Sequence, residues 1–186
     1  MIIERRSAHE IAEVEREATV SRDITWEAGK VRVDERARLL GQEPVTIWLT
    51  GLSGSGKSTI AGELERRLID AGRACFVLDG DNLRHGLNRD LGFSAEDRRE
   101  NIRRVAEVAG LMNEAGLIVV TAFISPYRED RAAARRIVGP SRFVEAYLAT
   151  DLATCERRDP KGLYAKARRD EIPEFTGVSA PYETPD

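Results

Sequence analysis

The sequence predicts a three-layer α/β fold, a mainly parallel sheet with helices on both faces. Three observations carry that reading. Short β-rich runs alternate with helix-period segments from residue 45 onward. The run 117–123 is almost continuously apolar, as expected of a strand buried on both faces. The first run also leads into Gly51-Leu52-Ser53-Gly54-Ser55-Gly56-Lys57-Ser58-Thr59, a glycine-rich turn that opens a helix.

The elements follow in order. Residues 1–44 precede the alternating core and read as an N-terminal extension or helical linker. Ser7-Ala8-His9-Glu10 resembles a capping box, and Ala8, Ile11, Val14 and Ala18 fall on one helical face. That segment reads either as a docking helix or as a packed extension; Trp26 reads as a packing anchor. A second short helix spans 34–40 and closes at Gly41. Strand signals follow at 45–49, 74–78, 117–123 and 143–148. Ile60, Ala61, Leu64, Leu68 and Ile69 give a helix after the first strand. Ser94 starts another helix, with Ile102, Val105, Ala109 and Met112 at helical spacing. A charged helix covers 128–138, and Asp151 caps the one carrying Cys155. The stretch 159–186 is rich in charge, Pro and Gly, which suits either a closing lid or a disordered tail.

Composition narrows the partners. With 186 residues, 41% apolar and 33% charged, the chain can build one sizeable core. A net charge of −3 argues against a general nucleic-acid partner. All but four of the 29 basic residues are Arg, the side chain suited to bidentate contacts with phosphate and sulfate. No apolar run approaches the ~18 residues of a membrane-spanning helix. Glu4, Arg5 and Arg6 leave no apolar stretch for a secretory signal, so no membrane role is expected. Cys75 and Cys155 are isolated and lack metal-ligand spacing, which fits a reducing cytoplasm. Cys75, in an apolar run, reads as core.

The turn at 51–59 matches G-x-x-x-x-G-K-[ST], the phosphate-binding loop, at every required position. Its glycines free backbone N–H groups to cradle phosphate oxygens. Lys57 would reach the outer phosphates of ATP, and the Ser58 hydroxyl would hold Mg²⁺. The fold class is therefore that of a P-loop NTPase. Polar residues gather just past the later strands, where a parallel sheet places its site. They are Asp79, Asp81 and Arg84 after the second strand, and Ile124 and Ser125 after the third. Carboxylates facing a triphosphate can coordinate Mg²⁺ or deprotonate an attacking hydroxyl, and arginines beside them can hold an anionic acceptor. The residue types point to phosphoryl transfer to an anionic acceptor. A kinase for an uncharged acceptor would not need Arg84 and Arg98. A catalytically weak nucleotide-binding module would bind ATP without turnover.

The chain resembles the adenylylsulfate kinase (APS kinase) family over residues 45–186. The resemblance rests on the phosphate loop, Asp79-Gly80-Asp81-Asn82-Leu83-Arg84-His85-Gly86-Leu87-Asn88, Leu91-Gly92-Phe93-Ser94, Ile124-Ser125-Pro126, Asp159-Pro160-Lys161-Gly162-Leu163-Tyr164, Phe175-Thr176-Gly177 and Pro181-Tyr182-Glu183. It implies transfer from ATP, with Mg²⁺, to the 3′-hydroxyl of adenylylsulfate, the second step of sulfate activation, giving 3′-phosphoadenylylsulfate (PAPS). Carried over by motif, Gly51, Leu52, Ser53, Gly54, Ser55, Gly56, Lys57, Ser58 and Thr59 would bind ATP. Asp81 would orient or deprotonate the acceptor hydroxyl, and Asp79 would act through Mg²⁺-bound water. Arg84, Arg98 and Asn101 would hold the phosphosulfate, and Phe93 and Phe175 would sandwich the acceptor adenine. Ile124 and Ser125 would contact the acceptor, and Lys161 would lie over the phosphates. Cys155, Arg157 and Arg158 are expected on the ATP-adenine wall.

The family's Ile-Ser-Pro serine has been described as a phosphoserine intermediate, which makes Ser125 a catalytic candidate. Direct in-line transfer needs no such intermediate, and no histidine stands beside Ser125 in sequence. The resemblance further implies a homodimer, a sulfate-adenylyltransferase partner or fusion, and a strand and helix beyond residue 183. The C-terminal end is therefore expected to be short.

Overall fold

A computed structural model describes residues 24–185 apart from Trp26 and Ala28. The expected helix through Ala8 to Ala18, His9 and the Trp26 anchor lie outside the described residues. The chain divides into Met1–Lys30, whose described residues form neither helix nor strand, and Val31–Asp186. The second unit alternates helix and strand as α1 (Val33–Leu40), β1 (Thr46–Thr50), α2 (Lys57–Asp70), β2 (Cys75–Asp79), α3 (Gly80–Leu83), α4 (Ala95–Glu114), β3 (Ile118–Ala122), α5 (Arg128–Val138), β4 (Phe143–Tyr147), α6 (Leu152–Arg158) and α7 (Leu163–Arg168).

The four strands form one parallel sheet in the order β2-β3-β1-β4. Every residue of β3 is buried, as its unbroken apolar run requires. Alternation along the strands sorts side chains onto two faces. One face carries Trp48, Leu78, Val119 and Phe143 against Ile102, Val105 and Ala109 of α4 and Ala134 and Val138 of α5. The other carries Leu49, Val120 and Ala122 against Ala61, Leu64 and Leu68 of α2. Both faces are covered, which completes the three layers.

Trp48 anchors the first core. It is fully buried, with ring centroids 6.0 Å from Phe123 and 5.5 Å from Phe143. Burying roughly 200 Å² of indole at about 25 cal/mol per Å² contributes about 5 kcal/mol. Gln42 sews the strand starts together. Its Nε2 donates to the carbonyls of Ala74 and Gly116, and its Oε1 accepts from Ala74 N–H, each at 2.8 Å.

Helix ends follow local chemistry. Ser94 Oγ accepts from Asp97 N–H at 3.1 Å, and an Asp151 carboxylate oxygen accepts from Thr154 N–H at 2.8 Å. Gly41 ends α1 in the left-handed region, which costs a glycine no Cβ clash.

One sequence expectation changes and one open alternative narrows. Cys75 is not core: β2 is an edge strand, so Cys75 is half-buried and Phe76 exposed. The stretch 159–185 is ordered chain rather than a tail. It forms α7 and buries Tyr164, Ala167 and Phe175 with Cys155 in a third apolar cluster.

Candidate active site

The strand order reverses at β1 and β3, and the loops leaving their carboxyl ends diverge there. That divergence opens a crevice. A cavity of about 1130 Å³ occupies it, large enough for two nucleotides. Ser53 to Ile60 line it after β1, Asp79 to Asp81 and Arg84 after β2, Ala122 to Pro126 after β3, and Thr150 after β4.

The phosphate loop is shaped by its glycines. Gly51 has φ +145°, and a Cβ there would meet Leu148 O at 2.9 Å. Gly54 has φ +73°, with Cys155 O 3.1 Å from the same hypothetical atom. No other residue fits both the dihedrals and the spacing. Gly56 caps α2 without a side-chain acceptor, so the first N–H groups of the helix face an incoming anion.

Lys57 is buried and folds back on its loop. Its Nζ donates to the carbonyls of Gly51 and Leu52, each at 2.7 Å. Burial depresses its pKa from 10.5 to about 8, against the smaller opposing pull of Cys155, Asp79 and Asp81. Ser58 Oγ donates to Asp79 Oδ2 at 2.7 Å, while Asp79 Oδ1 accepts from Asp81 N–H at 3.0 Å. Asp79 thus caps α3 with one oxygen and meets the phosphate loop with the other. These hard oxygen donors beside a phosphate cradle fit Mg²⁺.

Asp81 is exposed and paired with the Lys161 ammonium, which reaches it from the loop before α7. Two guanidiniums stand on the same side of the cavity. Arg84 stacks 4.2 Å from the Phe93 centroid and donates to the carbonyls of Leu91 and Gly92. Burial and then the nearby Arg98 charge pull the Arg84 pKa down. Arg98 donates to Phe93 O at 2.8 Å, Thr176 Oγ1 at 2.6 Å and Glu174 O. Asn101 is buried and accepts from Asn88 Nδ2 at 2.9 Å. Phe93 is 62% exposed, whereas Phe175 is 8% exposed with its ring against Tyr164.

Ser125 has φ +39°, a strained value for a non-glycine residue, and is buried. Its Oγ accepts from Trp48 Nε1 at 3.1 Å and donates to Thr50 Oγ1 at 2.9 Å. Thr50 Oγ1 in turn donates to Ile124 O at 2.8 Å, and Tyr182 OH lies 2.8 Å away. Arg131, itself buried, donates to Ser125 O at 2.8 Å. The single hydroxyl proton of Ser125 is therefore committed to a neighbouring hydroxyl, and no base accepts it.

Around this one cavity the structure brings together Ser53, Gly54, Ser55, Gly56, Lys57, Ser58, Thr59, Asp79, Asp81, Arg84, Phe93, Arg98, Asn101, Ile124, Ser125, Lys161 and Phe175. Gly51 and Leu52, the first two residues of the loop, are not on the cavity lining. Of the three residues expected on the ATP-adenine wall, only Arg158 lines the cavity. Cys155 is fully buried beneath Gly54, and Arg157 donates to Thr154 Oγ1. The sequence reading missed Thr150, whose Oγ1 donates to Ser55 O at 3.1 Å, and Thr176, which holds Arg98. Neither residue type carries a distinctive spacing. Thr176 and Tyr164 both sit inside family motifs, in which neither was assigned a role.

A family model described as adenylylsulphate kinase matches residues 43–186. An adenylyl-sulfate kinase of Shewanella pealeana is 58% identical over 163 residues, covering 88% of this chain and 80% of that protein. Among solved structures, an APS kinase of Mycobacterium tuberculosis in complex with AMPPNP and APS matches with a TM-score of 0.75 and 54% identity, over 77% of this chain and 84% of that one. A hexameric APS kinase from Thiobacillus denitrificans matches with a TM-score of 0.53 and 38% identity, over 61% of this chain and 24% of that one.

Proposed function

Because the chain belongs to the adenylylsulfate kinase family, we infer that this cavity holds ATP and adenylylsulfate side by side. The chain is a kinase that transfers the γ-phosphoryl group of ATP to the 3′-hydroxyl of adenylylsulfate, giving PAPS and ADP. The observation that carries the division of labour is that the cavity lining falls into two contact groups. Lys57 is bonded into the phosphate loop; Arg84 stacks on Phe93, and Arg98 bonds to Phe93 O and to Thr176 beside Phe175, with Asp81 also on the lining.

On the donor side, N–H groups of the cavity-lining loop residues 53–59 and the α2 N-terminus hold the phosphates. Lys57 exchanges its two loop carbonyls for phosphate oxygens and stabilises charge on the transferred group. Ser58 and Asp79 hold Mg²⁺ with the ATP phosphates; when bound, the ion neutralises charge on the triphosphate. Arg158 takes the ATP-adenine side, and Cys155 packs beneath Gly54.

On the acceptor side, Arg84 and Arg98 exchange carbonyl contacts for the phosphosulfate oxygens, beside Asn101. Phe93 and Phe175 flank the acceptor adenine, and the backbone of Ile124 and Ser125 forms the floor. Lys161 moves from Asp81 to the phosphates when ATP enters. That frees the Asp81 carboxylate to take the 3′-hydroxyl proton. Transfer is direct, and Ser125 shapes the floor rather than carrying phosphate.

We further assign residues 45–186 as the kinase domain and a homodimer as the working assembly. A reducing cytoplasm suits the two free cysteines. Among the described residues, no helix is long and apolar enough to cross a membrane.

The test is an acceptor panel. Purified protein with Mg²⁺-ATP receives adenylylsulfate, AMP, adenosine or a sugar acid, and products are identified by mass spectrometry. Adenylylsulfate alone is expected to turn over efficiently, with phosphate on its 3′-oxygen. ATP binding without transfer to adenylylsulfate would refute the reading.

A further inference from the structure

The phosphate loop is gripped from outside by the segment running from Thr150 to Gly177. Leu52 joins the apolar cluster of Cys155, Tyr164 and Phe175, and a Cβ on Gly177 would meet Leu52 at 3.1 Å. The most specific of these contacts is polar. Tyr164, 2% exposed at the start of α7, donates its hydroxyl proton to Ser53 O at 2.9 Å. Burial pushes the phenol pKa up, so the hydroxyl keeps its proton and remains a donor.

A trans peptide points its C=O and N–H in opposite directions. The Ser53–Gly54 peptide is trans, and its carbonyl is held toward Tyr164. Its N–H, on Gly54, is therefore turned away from Tyr164, and Gly54 lines the cavity. A glycine at φ +73° has little intrinsic barrier to a peptide flip, which would present a carbonyl to the phosphates instead of a donor. The Tyr164 ring also packs on Phe175 in a T-shaped pair, at 5.0 Å between centroids and 78° between planes. Phe175 lines the acceptor side.

We propose that Tyr164 is a positioning residue with two separable parts. Its hydroxyl fixes the Ser53–Gly54 peptide so that the N–H serves the ATP phosphates. Its ring supports Phe175 against the acceptor adenine. The proposal rests on the assignment of the phosphate loop to ATP and of Phe175 to the acceptor.

Tyr164→Phe keeps the ring and deletes the hydroxyl; Tyr164→Leu deletes both. Binding of Mg²⁺-AMPPNP is measured by titration calorimetry, and KM for each substrate by coupled assay. Tyr164→Phe is expected to weaken AMPPNP binding roughly 3- to 10-fold, with KM for adenylylsulfate within twofold of the parent. Tyr164→Leu is expected to raise KM for adenylylsulfate as well. If Tyr164→Phe leaves AMPPNP binding unchanged, or weakens both substrates equally, the inference is overturned and the tyrosine only stabilises the fold. Lys57→Ala and Phe175→Ala are the controls for the underlying reading. Lys57→Ala without effect on AMPPNP would remove the loop assignment itself. Phe175→Ala without effect on adenylylsulfate would remove the acceptor assignment. Both controls behaving as expected beside a silent Tyr164→Phe would sink this proposal alone.

Discussion

Raising the pH from 7.5 to 9.5 should weaken ATP binding through one side chain, Lys57. Its folded pKa of about 8 lies below the ordinary 10.5 because burial disfavours the ammonium. The triphosphate reverses that: several negative charges around Nζ raise the bound pKa well above the working range. Only the protonated lysine then binds ATP tightly. With a free-state pKa near 8, the charged fraction falls from about three-quarters at pH 7.5 to about 3% at pH 9.5. The affinity loss is therefore ~25-fold, or about 1.9 kcal/mol. The groups that face Lys57 electrostatically are Cys155, Asp79, Asp81 and Lys161, and burial pushes the Cys155 thiol up. Stability of the empty enzyme moves the other way. Between about pH 8 and 10.5 the unfolded chain carries the Lys57 proton and the folded chain does not, so stability rises with pH across that window. The assay is titration calorimetry of Mg²⁺-AMPPNP in buffers of different ionisation enthalpy. Proton uptake should approach one per ATP site at pH 9. A Kd flat across this range, or the same slope in Lys57→Arg, whose charge is permanent, would refute the argument.

Two further substitutions test the chemistry. Asp81→Asn should lower kcat about 10²- to 10⁴-fold while leaving the AMPPNP Kd within about threefold, by rapid-quench kinetics beside calorimetry; an unchanged kcat would remove Asp81 from proton transfer. Ser125→Ala strands Trp48 Nε1 without its acceptor and should cost about 1–3 kcal/mol in urea unfolding. It should retain turnover within about tenfold, because the carbonyl held by Arg131 remains; complete loss of turnover, with a phosphoprotein trapped in the parent, would reinstate the covalent route.

Much of the fold was legible because its signals are local. The alternation of strand and helix follows from hydrophobic period, and the ends of α1, α4, α5 and α6 follow from Gly41, Ser94, Gly139 and Asp151. Strand order was not legible. It depends on which apolar faces meet after collapse, and Cys75 was misplaced for that reason: nothing local separates an edge strand from a central one. The stretch 159–185 was ambiguous for a related reason. Its charge and Pro content describe a solvated chain, yet Tyr164 and Phe175 are buried against Cys155 and Leu52, more than a hundred residues earlier in the case of Leu52.

The sequence by itself determined the phosphate loop, since a backbone cradle needs glycines at fixed offsets and Lys57 directly after them. It also determined which residue types surround the loop, because the motifs following each strand are contiguous. Only the tertiary structure decided which partners those side chains take. It folded Lys57 onto Gly51 and Leu52, paired Lys161 with Asp81, tied Arg98 to Thr176, and committed the Ser125 proton to Thr50. The physical reason is that a polar side chain pairs with whatever neighbours the fold supplies, and a buried one such as Lys57 or Ser125 must satisfy its hydrogen bonds there. Those neighbours lie up to 80 residues away in sequence, beyond the reach of any local pattern.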